Sequence, residues 1–492
     1  MSLRERWGSR SAFVMAAIGS AVGLGNVWRY PYVVYKSGGG AFLIPFLVAL
    51  LTAGIPLMIL EYWLGQRAQA GAPQSLKKTH KNFEWVGWWA LMAALILTFY
   101  YAVVMSWCFN YLYYAWSLPE WSPNAKDFFF AKVLQVSSGP FDFGEFPYVA
   151  WPVVMGLAIS WISVYLIICK GVARVGKVVL ITVPLPVILL LILVIRGMTL
   201  DGSGEGLKFF LEPNFAALKD PTIWLSAYGQ VFFSLSLGFG TLIAYASYTP
   251  KNSDITNNAF IVSLADCGIS YMAGFAIFST LGYLAFSQGL PVQDVVSKGP
   301  GLAFIVYPTA LSLMPLGAIL AVLFFIMLLT LGIDSLFSMV EGVIAGVHDK
   351  WGFSKGKLVG LYCIFAFMMG LLFASKAGLY WLDIIDHFVT EYTLLLVGLF
   401  QCVAVGWFSN ISQARQEINK QSDFSLGIWW ELCIKYIAPV ILVAILGSSL
   451  YQELQKPYEG YPSQALAIGV AMTASAFLAG WLFASLKGRH HE

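Results

Sequence analysis

Apolar runs follow one another along almost the whole chain, parted by short stretches that carry charge, glycine and proline. A helix needs roughly 20 mostly apolar residues to cross a bilayer. Twelve runs reach that length, centred near Ala21, Ala53, Tyr100, Ala158, Leu189, Ser236, Ala273, Ile326, Phe365, Val397, Val443 and Ala474. The pattern predicts an all-α integral membrane protein of twelve transmembrane helices. Helices 1 and 6 are expected to be broken at membrane depth, at Gly19-Ser20-Ala21-Val22-Gly23-Leu24-Gly25-Asn26 and Ser234-Leu235-Ser236-Leu237-Gly238-Phe239-Gly240. Glycine is poor inside a helix, and an unwound backbone cannot face lipid with its N–H and C=O groups unpaired. Such breaks are tolerated where they line a polar cavity. A pair of them in corresponding halves points to a transporter's central site.

The breaks also imply an internal repeat. Helices 1–5 (residues 8–200) and 6–10 (residues 221–408) each open on a broken helix, and an odd number of spans inverts the second half. The overlay is positional, since residue identity between the halves is poor. Helices 11 and 12 (residues 429–486) are expected at the periphery. The loop from Pro291 to Pro315 has room for short lid helices. Residues 1–492 therefore read as a single transporter domain with a five-plus-five inverted repeat.

Composition agrees with a membrane protein: 59% hydrophobic and 11% charged residues exclude an ordinary soluble domain. The net charge of +3 says less than its placement. Arg4, Arg6, Arg10, Arg67, Lys77, Lys78, Lys81, Lys170, Arg174, Lys177, Lys350, Lys355, Lys357, Lys487 and Arg489 fall on one side of the twelve-span arrangement. That side is expected to be cytoplasmic and to hold both termini. The first apolar run is too long for a cleavable signal peptide and carries Asn26 and Arg29. Cys108, Cys169, Cys267, Cys363, Cys402 and Cys433 lie in apolar segments or at their ends, so no disulfide framework is implied. The outer loop from Pro119 to Pro147 lacks an Asn-x-Ser/Thr sequon. Both features point to a bacterial inner membrane. No nucleophile with a base, metal-spaced Cys/His cluster or phosphate loop speaks for an enzyme, and nothing speaks for a nucleic-acid partner.

Ionisable residues inside apolar helices are costly and are functional suspects. Asp334 precedes Ser335, and Asp266 lies in Leu264-Ala265-Asp266-Cys267-Gly268. Either carboxylate has a plainer reading as a cap or as the partner of a basic group, but no Lys or Arg lies near in sequence. A bound hard cation suits carboxylate, hydroxyl and backbone oxygens. Glu61 is placed to accept N–H bonds from an unwound segment or, equally, to sit at the interface. Arg29 is placed to pair with Asp383, Asp386 or His387, or to snorkel. Tyr100 and Tyr101 fall mid-helix.

The run Gly23-Leu24-Gly25-Asn26-Val27-Trp28-Arg29-Tyr30-Pro31, then Gly38-Gly39-Gly40-Ala41-Phe42, resembles the neurotransmitter:sodium symporter family. So do Phe232-Phe233-Ser234-Leu235-Ser236-Leu237-Gly238-Phe239-Gly240 and Thr330-Leu331-Gly332-Ile333-Asp334-Ser335. The resemblance runs from Arg4 to Leu486 and is to the prokaryotic amino-acid branch. It implies two sodium ions. The first would use Ala21 carbonyl, Asn26, Ser234 and Asp266 with the substrate carboxylate. The second would use the carbonyls of Gly19, Val22 and Leu331 with Asp334 and Ser335. The substrate carboxylate would meet Tyr101 and the N–H groups near Leu24 and Gly25, as anions do at helix starts. The amine would meet carbonyls near Ala21, Phe233 and Ser236, with Ser234 beside them. Phe239, Phe233, Leu97, Met339, Ser20 and Ser335 would line the side-chain pocket. The resemblance implies an outer gate of Phe239 over Tyr101 and Arg29 with Asp386, and an inner gate of Arg4 with Asp349, steadied by Trp7.

Two departures shape the expected substrate and ions. Several eukaryotic amine carriers of this family place Asp where this chain has Gly23, so an α-amino acid is favoured. Chloride-dependent members have Tyr where this chain has Phe46 and Asn where it has Asp266, although Gln230, Ser234 and Ser270 match their chloride ligands. The resulting expectation is sodium-coupled symport of neutral, hydrophobic L-amino acids by alternating access, without chloride. The alternatives are transport of glycine, alanine, taurine or an osmolyte, and a channel or receptor on the same scaffold.

Overall fold

A computed structural model describes residues 4–296 and 299–488. Arg489 of the basic set lies outside the described residues. The described chain is almost all helix, with no strand. The first half runs α1 (Arg10–Ala21), α2 (Leu24–Lys36), α3 (Gly40–Ala68), α4 (Ala72–Thr79), α5 (Glu84–Tyr114), α6 (Trp151–Ile168), α7 (Val172–Met198) and α8 (Ser203–Leu211). The second runs α9 (Pro221–Ser234), α10 (Thr241–Ser247), α11 (Ile255–Gln288), α12 (Leu302–Ser312), α13 (Gly317–Trp351), α14 (Lys355–Phe373) and α15 (Gly378–Gly406). Then come α16 (Ile411–Asn419), α17 (Ile428–Gly460) and α18 (Ser463–Ser485).

Ten of the described helices are long and apolar enough to cross a membrane, eleven when α1 and α2, bent by 51° at their break, count as one span. The expected twelfth span, centred near Ser236, consists of α9 and α10, only 14 and 7 residues long. Between them Ser236, Gly238 and Gly240 have φ of 54°, 82° and 72°. Three left-handed residues in five positions turn the chain fully out of helix, which glycine permits at low cost and serine does not. This wide break keeps α9 and α10 from reading as one bent helix by length.

At the centre, α5 packs along α13, and α13 also meets α1, α7 and α10. The approach of α5 to α13 depends on Gly332, where a Cβ would collide with the Met105 sulfur. By contrast α14, α17 and α18 keep broad apolar faces outward, as helices solvated by lipid do.

Candidate functional site

A helix leaves its last four carbonyls and first four N–H groups without partners, with opposite partial charge at its two ends. The first break therefore offers α1 carbonyls and α2 N–H groups at one place. Val22 N–H returns to Ile18 O at 2.7 Å, and Asn26 Oδ1 accepts Gly23 N–H at 2.8 Å. The carbonyl of Ser20 accepts the Ser236 hydroxyl at 2.7 Å, which ties the two breaks together. At the second break Gly238 N–H donates to Glu61 at 2.9 Å, and Glu61 is fully buried.

Ser335 Oγ lies 3.3 Å from Gly19 O, 3.5 Å from Val22 O and 3.4 Å from Leu331 O. These are the residues the resemblance named for a second ion, and they converge on one hydroxyl. Asp334 stands beside them: a Cβ on Gly19 would be 3.0 Å from Asp334 Oδ2. Thr182 of α7 donates to Asp334 Oδ1 at 2.7 Å. A small cavity lined by Gly19, Val22, Val183, Leu331 and Asp334 opens at this point. One carboxylate, two hydroxyls and three carbonyls form an all-oxygen donor set suited to a hard cation.

A second polar cluster links α2, α9 and α11. Asn26 Nδ2 has three acceptors for its two N–H bonds: Asp266 Oδ1 at 2.7 Å, Ser270 Oγ at 2.8 Å and Ser234 Oγ at 3.1 Å. Ser234 in turn donates to Asp266 Oδ2 at 2.8 Å. One turn before Ser234, Gln230 is buried with neither amide atom hydrogen-bonded. Phe46 is fully buried against the rings of Tyr30 and Phe42. Among the described residues no group of three or more His, Cys, Asp or Glu side chains could hold a metal ion.

Several of the expected substrate residues lie at the first break. The Tyr101 hydroxyl is buried and faces Ser335 and the Leu24 amide without a hydrogen bond of ordinary geometry to either. Gly25 abuts the Phe233 ring, where a Cβ would be 3.1 Å away. Leu97, Phe239, Met339 and Ser20 are buried. Ser20 Oγ and Ser338 Oγ share a hydrogen bond of 3.0 Å. A Cβ at Gly23 would stand 2.9 Å from Ser335 Oγ and 3.3 Å from Tyr101 Oη, so no acidic side chain fits there without movement.

At the basic end Arg4 pairs with Asp349 at 2.8 Å and donates to Ser247 at 2.6 Å. Gly71 N–H donates to the second Asp349 oxygen at 2.6 Å, and buried Trp7 donates to Tyr245 O at 2.9 Å. Burial works to raise the Glu5 carboxyl, but the Lys355 ammonium (3.2 Å) and Val172 N–H (3.1 Å) outweigh it and hold it below the usual carboxylate range. The opposite end departs from expectation. Arg29 pairs with Glu391 at 3.3 Å, not with Asp386. Asp386 instead accepts the Tyr100 hydroxyl at 2.9 Å, while the Arg29 guanidinium sits over the Phe233 ring at 4.5 Å. The Phe239 ring is buried.

The model of the sodium:neurotransmitter symporter family matches residues 4–123 and 115–488. The chain belongs to this family. An uncharacterised sodium-dependent transporter of Methanocaldococcus jannaschii is 41% identical over 98% of both chains. A sodium- and chloride-dependent taurine transporter of Bos taurus is 33% identical over 96% of this chain and 83% of its own. A sodium-dependent dopamine transporter of Caenorhabditis elegans is 33% identical over 96% of this chain and 86% of its own. This symporter is therefore a multi-pass membrane protein that uses sodium, and its family is made of transporters rather than enzymes.

Sequence reasoning did not single out Thr182, Ser338 or Glu391 of this symporter. Thr182 precedes Val183-Pro184, where α7 is interrupted by a turn, and a hydroxyl beside a proline in an apolar run was the available signal. Ser338 and Glu391 carried none, because their partners come from distant elements.

Proposed function

We propose that this symporter carries neutral L-amino acids, with preference for apolar side chains, together with two sodium ions, by alternating access and without chloride. The observation that carries the reading is the convergence of the Gly19, Val22 and Leu331 carbonyls on Ser335 beside Asp334. A second sodium would be held by Asn26, Ser234, Asp266 and the Ala21 carbonyl. A zwitterion fits the first break, with its carboxylate on Tyr101 and the α2 N–H groups and its ammonium on carbonyls near Ala21, Phe233 and Ser236. Gly23 leaves an amine that lacks its own carboxylate without a counter-charge. Leu97, Phe233, Phe239 and Met339 supply apolar walls. A taurine transporter among the relatives favours a small substrate (glycine, alanine, taurine or an osmolyte) as the second reading. The frame of this proposal is twelve helices, with α9 and α10 as one span, arranged as two inverted halves in the cell membrane with both termini inside.

The test is sodium-dependent uptake of a panel of labelled neutral amino acids, glycine and taurine into proteoliposomes, with Asp334→Ala alongside. The reading expects a neutral amino acid to be the best substrate and Asp334→Ala to abolish uptake while still inserting. In a low-dielectric site a cation facing only neutral oxygens loses far more than it would in water. Wild-type sodium dependence in Asp334→Ala would sink the assignment.

A further inference from the structure

The half of α15 read as outer has two engaged faces. One face holds Asp386 on Tyr100 and Glu391 on Arg29. The other is tied to the end of α17 and the loop after it. His387 Nε2 lies 2.5 Å from Glu453 Oε1, and the Tyr392 hydroxyl donates to the same oxygen at 2.7 Å. The His387 ring stacks on Tyr458 with centroids 3.7 Å apart and planes 9° from parallel. One turn earlier, Asp383 accepts the hydroxyls of Tyr458 at 3.1 Å and Tyr461 at 2.9 Å. Positions 383 and 387 are i, i+4 neighbours, and 386 is i+3 from 383, so one stretch of α15 carries both sets of contacts. The His387 and Glu453 side chains are 13% and 23% exposed, so protons reach the pair although it is mostly covered.

The Phe388 ring meets the imidazole edge-on at 5.2 Å, and the titratable groups around the imidazole are acidic or phenolic. They are Glu453, Tyr458 and nearby Glu459 of α17, Tyr461 beyond it, and Asp383, Asp386 and Tyr392 of α15. The nearby cation, Arg29, is committed to Glu391. Histidine is the side chain that changes charge between about pH 5 and 8. Its proton decides whether Glu453 meets a cation or a neutral ring. A π-helical turn, Val389–Thr393, carries both Glu391 and Tyr392, and such turns let a helix adjust its register.

We propose that His387 is a positioning residue for the outer gate. As an imidazolium it clasps α15 to α17 through Glu453 and holds Asp386 and Glu391 in place, and loss of its proton loosens that clasp. External pH would then set how firmly the gate is presented. The inference rests on reading Arg29, Asp386 and Glu391 as gate residues of a symporter.

Hydrogen–deuterium exchange of the full-length protein in lipid nanodiscs, at fixed sodium and at about pH 5.5 and about pH 7.5, tests it. After correction for chemical exchange, protection of residues 378–393 should fall about two- to fivefold at the higher pH, the range a partly exposed ion pair supports. His387→Gln and, independently, Glu453→Gln should hold the lower protection at both pH values. A wild-type segment indifferent to pH, or a His387→Gln protein that keeps the wild-type pH dependence, would overturn the clasp. The gate link is checked separately. Arg29→Ala with undiminished sodium-driven uptake would overturn it even where the exchange result stands.

Discussion

Asp334 does not stand alone at its site; its geometry is set from α7. The Thr182 hydroxyl fixes one carboxylate oxygen while the other lies against Gly19. Thr182→Val keeps the shape and removes the donor. It should weaken sodium binding about tenfold, since a hydrogen bond to a charged group is worth about 1.5–3 kcal/mol. Equilibrium binding of tracer sodium reads this, and unchanged affinity would show that Thr182 only packs. The buried Tyr101 hydroxyl, facing Ser335 and the Leu24 amide, makes a similar test for substrate. Tyr101→Phe should cut affinity for the transported amino acid about tenfold or more and leave sodium binding without substrate nearly unchanged. At this scale the sequence was informative where polarity is rare. Asp334, Asp266 and Asn26 stand out from apolar runs, and they lie at the breaks. Hydroxyls do not stand out, because a serine or threonine can satisfy itself on its own helix, as Thr330 does on Ile326 and Met327. Arg29 was legible as a charge but its partner was not. The choice of Glu391 over Asp386 depends on the register of α15 through its π-helical turn.

The broken helices are held by side chains from intact ones. Glu61 of α3 is buried and receives Gly238 N–H at the second break. Glu61→Ala would leave that N–H without a partner in a dry interior, at a cost of about 1–3 kcal/mol. Glu61→Gln keeps an acceptor oxygen. The expected result is a clear fall in thermal midpoint for Glu61→Ala in detergent and a much smaller one for Glu61→Gln. Equal midpoints for both and the wild type would mean that the bond does not hold the break. Both breaks were legible because paired glycines weaken a helix at depths where lipid demands an intact one. The span count was less so. A strongly apolar run announced the sixth helix, but three left-handed residues in five positions divide it into halves too short to count by length. The peripheral helices near Val443 and Ala474 were plain, since lipid-facing helices must be apolar over their full length.

For the molecule as a whole, the proposed cycle joins two ion sites, one substrate site and two gates. At the end bearing Arg4 that residue pairs with Asp349, and Trp7 packs edge-on against Tyr245. On the proposed reading, chloride is dispensable because Asp266 builds the negative charge into the protein. Replacing chloride by gluconate at constant sodium and pH should leave uptake unchanged. Asp266→Asn should lose uptake in gluconate and regain part of it in chloride, where Gln230, Ser234 and Ser270 remain to meet an anion. A wild-type protein that stalls in gluconate would contradict this role of Asp266. The central claim is coupling of a neutral amino acid to two sodium ions. It is tested most directly by accumulation of the labelled substrate in proteoliposomes under an imposed inward sodium gradient, with and without an inside-negative potential. Each translocated charge gains about 2.3 kcal/mol per 100 mV. Uphill accumulation that requires sodium and rises with the potential is the expected result; accumulation that ignores either the gradient or the potential would contradict the account.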